Sequence, residues 1–261
     1  MIPKLSIITV NLNNAKGLEK TLQSVFSQTF TNFEQIVIDG GSSDGSKNIL
    51  EKNNSKISYW VSERDGGIYQ GMNKGIAHAN GEYLLFLNSG DYLVENSILE
   101  KFFANYFNQD IVYGNLVLRF PNGKTRLTKY PKETELSTAH FYRKALPHPS
   151  TLFKNDIFKK IGGYRTDIGF VADWAFCINA IYLHGASTKH IPIALSFFSF
   201  DGTSVQPRNI IVGEEYRKKV WQEYFPYMQK DIARLAVFEK MLEIPGLKTL
   251  YKLIEKYKGA R

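Results

Sequence analysis

The sequence predicts an α/β fold: a mostly parallel central sheet flanked by helices, followed by a C-terminal helical extension. Short β-branched runs alternate with helix-period segments through the first 90 residues, and each run ends in a polar loop. No internal repeat or composition break marks a linker.

Leu5 to Val10 is a β-branched run of the kind a buried parallel strand needs. Asn13 and Asn14 then offer an N-cap to a helix with Leu18, Leu22, Val25 and Phe26 on one face. The pattern repeats with Phe33 to Ile38 as strand, Asp39 to Gly45 as a glycine-rich loop and a helix from Ser46, for which Asp44 is the expected cap. Ile57 to Val61 reads as a third strand, Ile68 to Ala79 as a helix and Tyr83 to Leu87 as a fourth strand. Such alternation implies right-handed crossovers between parallel neighbours.

Further on, Ile111 to Phe120 and Lys124 to Tyr130 read as strands joined by a turn at Pro121 to Gly123. A helix ending at Ile161, a Gly162-Gly163 break, a helix from Ala172 to His184 and a strand from Thr188 to Leu195 complete the expected body. Residues 1–212 are expected to form the α/β domain and 213–261 the helical extension.

Hydrophobic residues at 43% and charged residues at 22% are ordinary for a globular chain and exclude disorder, collagen and coiled coil. The single Cys177 excludes a disulfide framework and a multi-cysteine zinc site; Trp174, Phe176 and Ile178 around it suggest a buried filler. Met1 to Val10 carries no signal-peptide pattern, and no apolar stretch reaches the roughly 20 residues that span a bilayer, so a cytosolic location is expected. The net charge of +8 favours an anionic partner. From Leu247 onward, Lys248, Lys252, Lys256, Lys258 and Arg261 face only Glu255, while Leu247, Leu250, Tyr251, Leu253, Ile254 and Tyr257 recur at helical spacing. This basic amphipathic tail suits either an anionic membrane surface or packing on the body as a terminal helix.

In parallel sheets, ligands bind at the carboxyl ends of the strands. The residues there are Asn11 and Asn13, Asp39 to Asp44, Glu63 to Gly67, and Asn88 to Asp91. Asp39, before a glycine pair, reads either as a turn former or as a carboxylate accepting a hydrogen bond from a nucleobase N–H, such as N3 of uracil. Between Glu63 and Gly75 an acidic glycine turn meets a helix start, where backbone N–H groups and Lys74 could meet a diphosphate; a solvated surface charge is the other reading of Lys74. Asp91 closes the turn after an apolar strand and is placed to hold a hard cation bridging two phosphate oxygens, or simply to form a turn. Asp173 opens an apolar helix, where the dipole favours the ionised carboxylate that a general base needs, or where it serves as a plain cap. His148 is read as a structural residue, a pocket residue or a metal ligand.

Taken in order, Leu5-Ser-Ile-Ile-Thr-Val-Asn11, Ile36-Val-Ile-Asp39-Gly-Gly-Ser-Ser-Asp44-Gly-Ser, Asp65-Gly-Gly-Ile-Tyr, Met72-Asn73-Lys74-Gly75-Ile, Gly81 to Asp91 and Ala172-Asp173-Trp174 resemble the family 2 inverting glycosyltransferases of GT-A fold, particularly bacterial members that build surface polysaccharides. The resemblance spans about residues 4–200. It implies that Asp39 reads the nucleotide base, that Asp65 lies beside the sugar nucleotide, that Asp91 binds Mg²⁺ or Mn²⁺, and that Asp173 deprotonates the acceptor. The contacts expected for the nucleotide sugar are then Thr9, Asn11, Asp39, Gly40, Asp65, Gly66, Asn73, Lys74 and Asn88. The family's D-x-D-D pattern is reduced here to Asn88-Ser89-Gly90-Asp91, and its Glu-Asp pair to Ala172-Asp173. The Q-x-x-R-W motif of processive synthases is missing, which implies one sugar per acceptor.

The expected activity is metal-dependent transfer of a sugar, from UDP by preference, to a glycan or lipid-linked saccharide acceptor, with peripheral contact to an anionic membrane. One rival is a sugar-nucleotide pyrophosphorylase, although residues 11–17 lack the basic glycine-rich loop it would use. The other is a basic nucleic-acid-binding protein, which no recognised motif supports, so nucleic acid is not an expected partner.

Overall fold

The computed structural model describes residues 2–199, 207–244, 246–249 and 251. Among these residues nine strands form one sheet, in the order Tyr59–Ser62, Phe33–Asp39, Leu5–Asn11, Tyr83–Phe86, Thr151–Lys154, Ile111–Arg119, Thr188–Ser199 and Tyr92–Leu93, with Thr125–Thr128 paired to Ile111–Arg119. The N-terminal half is β1 (Leu5–Asn11), α1 (Ala15–Phe26), β2 (Phe33–Asp39), α2 (Ser46–Lys52), β3 (Tyr59–Ser62), α3 (Ile68–His78) and β4 (Tyr83–Phe86). These four strands are mutually parallel, as the alternation implied. Along β1, Leu5 and Ile7 face one hydrophobic cluster and Ile8 and Val10 the other, so the strand is buried on both faces. The third strand starts two residues later than expected, because Asn54–Lys56 form a helical turn before it.

The second half comprises β5 (Tyr92–Leu93), α4 (Ile98–Phe103), β6 (Ile111–Arg119), β7 (Thr125–Thr128), α5 (Thr138–Arg143), β8 (Thr151–Lys154), α6 (Asn155–Ile161), α7 (Ala172–Ile178) and β9 (Thr188–Ser199). Here the sheet is mixed: β8 runs antiparallel to β4 and β6, whereas β9 is parallel to β6. The helix expected to reach His184 is regular only to Ile178 and continues as a wider turn over Asn179–Leu183. In contrast, β9 outruns its expected end by four residues, and that extra length carries Phe198 and Ser199 to the ligand end of the sheet.

The C-terminal helices are α8 (Pro207–Tyr224) and α9 (Gln229–Met241). The boundary expected at residue 212 falls inside α8. Gly213 lies within that helix and does not end it; a Cβ added there would stand 3.4 Å from Val171, an ordinary contact. Val220 and Trp221 of α8 and Ile232 of α9 join the core that holds Trp174, with the two indoles 5.7 Å apart and edge-on. Of the basic tail, Leu247, Lys248 and Tyr251 are among the described residues, while Leu250 and residues 252–261 lie outside them. No helix among the described residues is long and apolar enough to cross a membrane.

Cys177 is buried in this core, and burial pushes its thiol above the ordinary range, as suits a filler. Gly81 fixes the start of β4. Its N–H donates to Ser6 Oγ at 2.8 Å, and an added Cβ would lie 2.5 Å from the Ser6 backbone nitrogen. Gly81→Ala should therefore destabilise the fold by about 1–3 kcal/mol, the usual cost of overpacking. Thermal unfolding would register this as a fall of roughly 2–4 °C per kcal/mol; an unchanged midpoint would refute the clash.

Candidate active site

The parallel register builds the first part of the site. Asn11, Asp39 and Ser62 end β1, β2 and β3 and are Cα partners in one row. Their side chains therefore meet: Asn11 Nδ2 donates to Asp39 Oδ1 at 2.6 Å and Ser62 Oγ donates to Oδ2 at 2.6 Å. Ser42 adds its N–H at 2.9 Å and its hydroxyl at 2.5 Å. Burial pushes the Asp39 carboxyl up, but these four donors outweigh it and hold the group below its ordinary value. Asp39 is fully buried, and both its oxygens are engaged within the protein. The turn-forming reading thus describes its contacts here. Asp44 does not cap α2 directly, since Gly45 is the cap; its carboxylate takes the N–H of Ser46 and, at 2.7 Å, that of Ala15, tying the starts of α1 and α2 together.

A cleft of about 730 Å³ opens beside this row, lined by residues of the β1–α1, β3–α3 and β4–β5 loops, among them Asn11, Asp65, Gly66, Tyr69, Asn88 and Asp91. Asp65 Oδ1 accepts the Gly67 N–H at 3.0 Å, and both its oxygens would lie 3.3 Å from a Cβ on Gly40. Gly40 thus lets the second loop approach the third. The Asn88–Asp91 turn closes through Asp91 N–H to Asn88 O at 2.9 Å, with Gly90 at φ +105°. Thr21 of α1 clamps the turn from behind, donating to Asp91 O at 2.6 Å and accepting the Gly90 N–H at 3.0 Å.

Asp91 is 7% exposed, and Asn88 Oδ1 is buried with no hydrogen-bond partner among the described residues. A carboxylate and an amide oxygen on one short turn are the hard donors that Mg²⁺ or Mn²⁺ takes, so the residues fit such an ion. No group of three or more His, Cys, Asp or Glu among the described residues could hold a metal, so phosphate oxygens and water would have to supply the remaining ligands. Asn11 Oδ1, on the same cleft, is likewise buried without a partner.

Several expected contacts lie elsewhere. Thr9 is fully buried, donating to Leu87 O at 2.9 Å and accepting from Gln35 at 3.0 Å, so it staples strands together and does not reach the cleft. Asn73 grips the Tyr164 backbone from both sides, each bond 2.8 Å, which leaves its amide committed to joining α3 to the loop before α7. The Lys74 ammonium pairs with Glu63 at 2.8 Å, outside the cleft lining, in keeping with the surface-charge reading.

Asp173, in the first turn of α7, accepts a 2.8 Å hydrogen bond from Tyr69 Oη. Tyr69 itself lines the cleft, and burial together with the Asp173 charge pushes its phenol well above the ordinary range, so it stays a donor. Asp173 lines a second, larger cavity of about 1510 Å³, which shares Phe198 with the cleft. His148 lines that cavity also, stacked on Phe86 and bonded through Nε2 to Tyr164 Oη at 3.0 Å. Burial lowers its pKa in spite of the nearby Asp173, which favours a neutral ring. His148 lines the larger cavity with Asp173 and is not among the residues lining the Asp91 cleft. Sequence reasoning missed Tyr69 and Thr21 as functional residues; the only local sign was a tyrosine four residues beyond Asp65 at a helix start.

The model of glycosyl transferase family 2 matches residues 6–162. The chain belongs to that family. It is 32% identical over 209 residues to an uncharacterized glycosyltransferase of Mycobacterium tuberculosis, covering 78% of this chain and 77% of that one. It is 30% identical over 225 residues to a PGL/p-HBAD biosynthesis glycosyltransferase of Mycobacterium bovis, covering 84% of each. Among solved structures, Staphylococcus aureus TarS 1-349 in complex with UDP superposes with a TM-score of 0.62 at 20% identity over 84% of this chain and 65% of that one. The mannosyltransferase PcManGT of Pyrobaculum calidifontis, in complex with GDP-Man and Mn²⁺, gives 0.57 at 13% identity over 98% and 85%. The fold is that of the GT-A glycosyltransferases, and this family 2 chain is a transferase enzyme, which sets aside both the pyrophosphorylase and the nucleic-acid-binding readings.

Proposed function

We propose that the chain transfers one sugar, with inversion, from a nucleoside diphosphate sugar to an acceptor hydroxyl in bacterial glycan assembly, acting from the cytoplasmic side. The observation that carries this is Asp173, which lines the larger cavity and accepts a hydrogen bond from Tyr69, a residue lining the smaller one. The donor occupies the cleft and the acceptor enters through the larger cavity. The acceptor hydroxyl attacks the anomeric carbon from the face opposite the diphosphate and gives its proton to Asp173. The C–O bond to the diphosphate breaks, and its electron pair leaves with that group.

Asp91 and Asn88 would hold Mg²⁺ or Mn²⁺, which when bound neutralises charge on the departing diphosphate. Asn11, Asp65 and the Gly66-Gly67 backbone line the donor side. Asp39 serves the base through the row it organises: for a base N–H to reach its carboxylate, the Ser62 or Ser42 hydroxyl must turn away. UDP is the preferred nucleotide; TarS binds UDP and UDP-GlcNAc, whereas PcManGT binds GDP-Man with Mn²⁺.

Calorimetric titration with UDP, GDP and CMP, each with Mn²⁺ and with EDTA, tests the reading. Binding of UDP that EDTA weakens is the expected result. No binding of any of the three would remove the donor roles of Asp91, Asn88 and Asp39.

A further inference from the structure

The larger cavity carries more positive charge than a neutral glycan needs. Arg126, Lys129, Lys144, Arg217 and Lys248 line it, and none of them makes an ion pair among the described residues. Of its acids, Glu239 and Glu243 are taken by Arg143, at 3.4 and 2.9 Å, leaving Glu135 and the base Asp173. A second observation points to a ligand on the same wall. His140 is only 9% exposed, and its Nε2 has no hydrogen-bond partner among the described residues; Thr128 Oγ1 is buried in the same condition. Burial, reinforced by Lys144 and Arg143, lowers the His140 pKa to about 4, so the ring is neutral there and records the positive field around it. Leu116, Leu242 and Phe198 give the cavity apolar surface as well.

From the unpaired cations and the orphaned polar atoms of this wall, we infer that the acceptor bears a phosphate group, which the cavity binds through Lys129 and Lys144 beside His140. The inference deepens the transferase reading and rests on it for the word acceptor. The cations hold the phosphate while Asp173, which lines the same cavity, meets the hydroxyl to be glycosylated. A phosphate borne by a lipid and one borne by a soluble sugar share this chemistry.

The test is calorimetric titration of the full chain, with UDP and Mn²⁺ in excess to block the donor cleft. Hexyl phosphate is compared with hexanol, and glucose 1-phosphate with methyl glucoside. At least one phosphate probe is expected to bind, with its neutral counterpart roughly tenfold or more weaker, as loss of charge-assisted hydrogen bonds implies. Binding of hexyl phosphate alone assigns a lipid-borne group, and binding of glucose 1-phosphate alone a soluble one. The double variant Lys129→Gln/Lys144→Gln should weaken the phosphate probe by a similar factor while UDP binding, which reports the fold, is kept. Phosphate probes that bind no better than neutral ones, or a double variant that binds them as tightly as the parent, would overturn the inference. Absence of UDP binding is read out separately and counts against the donor cleft alone.

Discussion

Asp173→Asn should lower kcat by about 10²–10⁴-fold, the range a positioned general base contributes, while the donor KM stays within a factor of about two. The substitution keeps the shape of the side chain, and Asn Oδ1 can still accept from Tyr69 Oη, so the bond that is 2.8 Å in the native chain survives. The negative charge is lost, and with it the capacity to take a proton. The measurement is steady-state release of nucleoside diphosphate with acceptor present, alongside thermal unfolding to show that α7 remains packed. A variant with near-native kcat would place the base elsewhere. Tyr69→Phe offers a graded comparison: it removes the donor that orients Asp173 while leaving the carboxylate, so its loss of kcat should be the smaller of the two.

Asp91→Asn should abolish the metal-dependent part of donor binding. With Mn²⁺ present, UDP affinity is expected to fall by about 100-fold, and EDTA should then make no further difference, because the one carboxylate on the turn is gone. The turn itself should persist. Thr21 grips Asp91 O and the Gly90 N–H, and the 88–91 backbone bond does not involve the side chain. An equal response to Mn²⁺ in variant and parent would show that the ion, if used, is held by other groups.

The four parallel strands were legible because each is a short β-branched or apolar run with turn chemistry directly after it; β1, β2 and β4 are buried on both faces and the edge strand β3 is half-buried. The same logic located the loops that hold Asn11, Asp65, Asn88 and Asp91. It did not show where Thr9, Asn73 and Lys74 point: they lie near those loops in the chain, but their side chains bond into the strand staple, onto Tyr164 and out to Glu63. Strand alternation and helix rotation decide such cases, and neither is fixed by proximity to a motif. Tyr69 and Asp173 are separated by 104 residues and Thr21 and Asp91 by 70, so no local pattern could pair them. The length of β9 was missed although Phe197 and Phe198 favour a strand: its last residues are held by pairing with β5 and β6, partners distant in sequence.

The row of Asn11, Asp39 and Ser62 makes the proposed nucleotide binding a test of strand alignment. Successive side chains on a strand point to opposite faces, so sliding β2 by one residue against β1 would turn Asp39 to the far side and bring Ile38 into the row. Such a slip would also move Ile36, Val37 and Ile38 out of their core positions, while the flanking helices keep their own backbone hydrogen bonds. Circular dichroism would then still report helices, while the proposed nucleotide binding would be lost. A preparation's active fraction by nucleotide stoichiometry thus counts the molecules whose first three strands are in step.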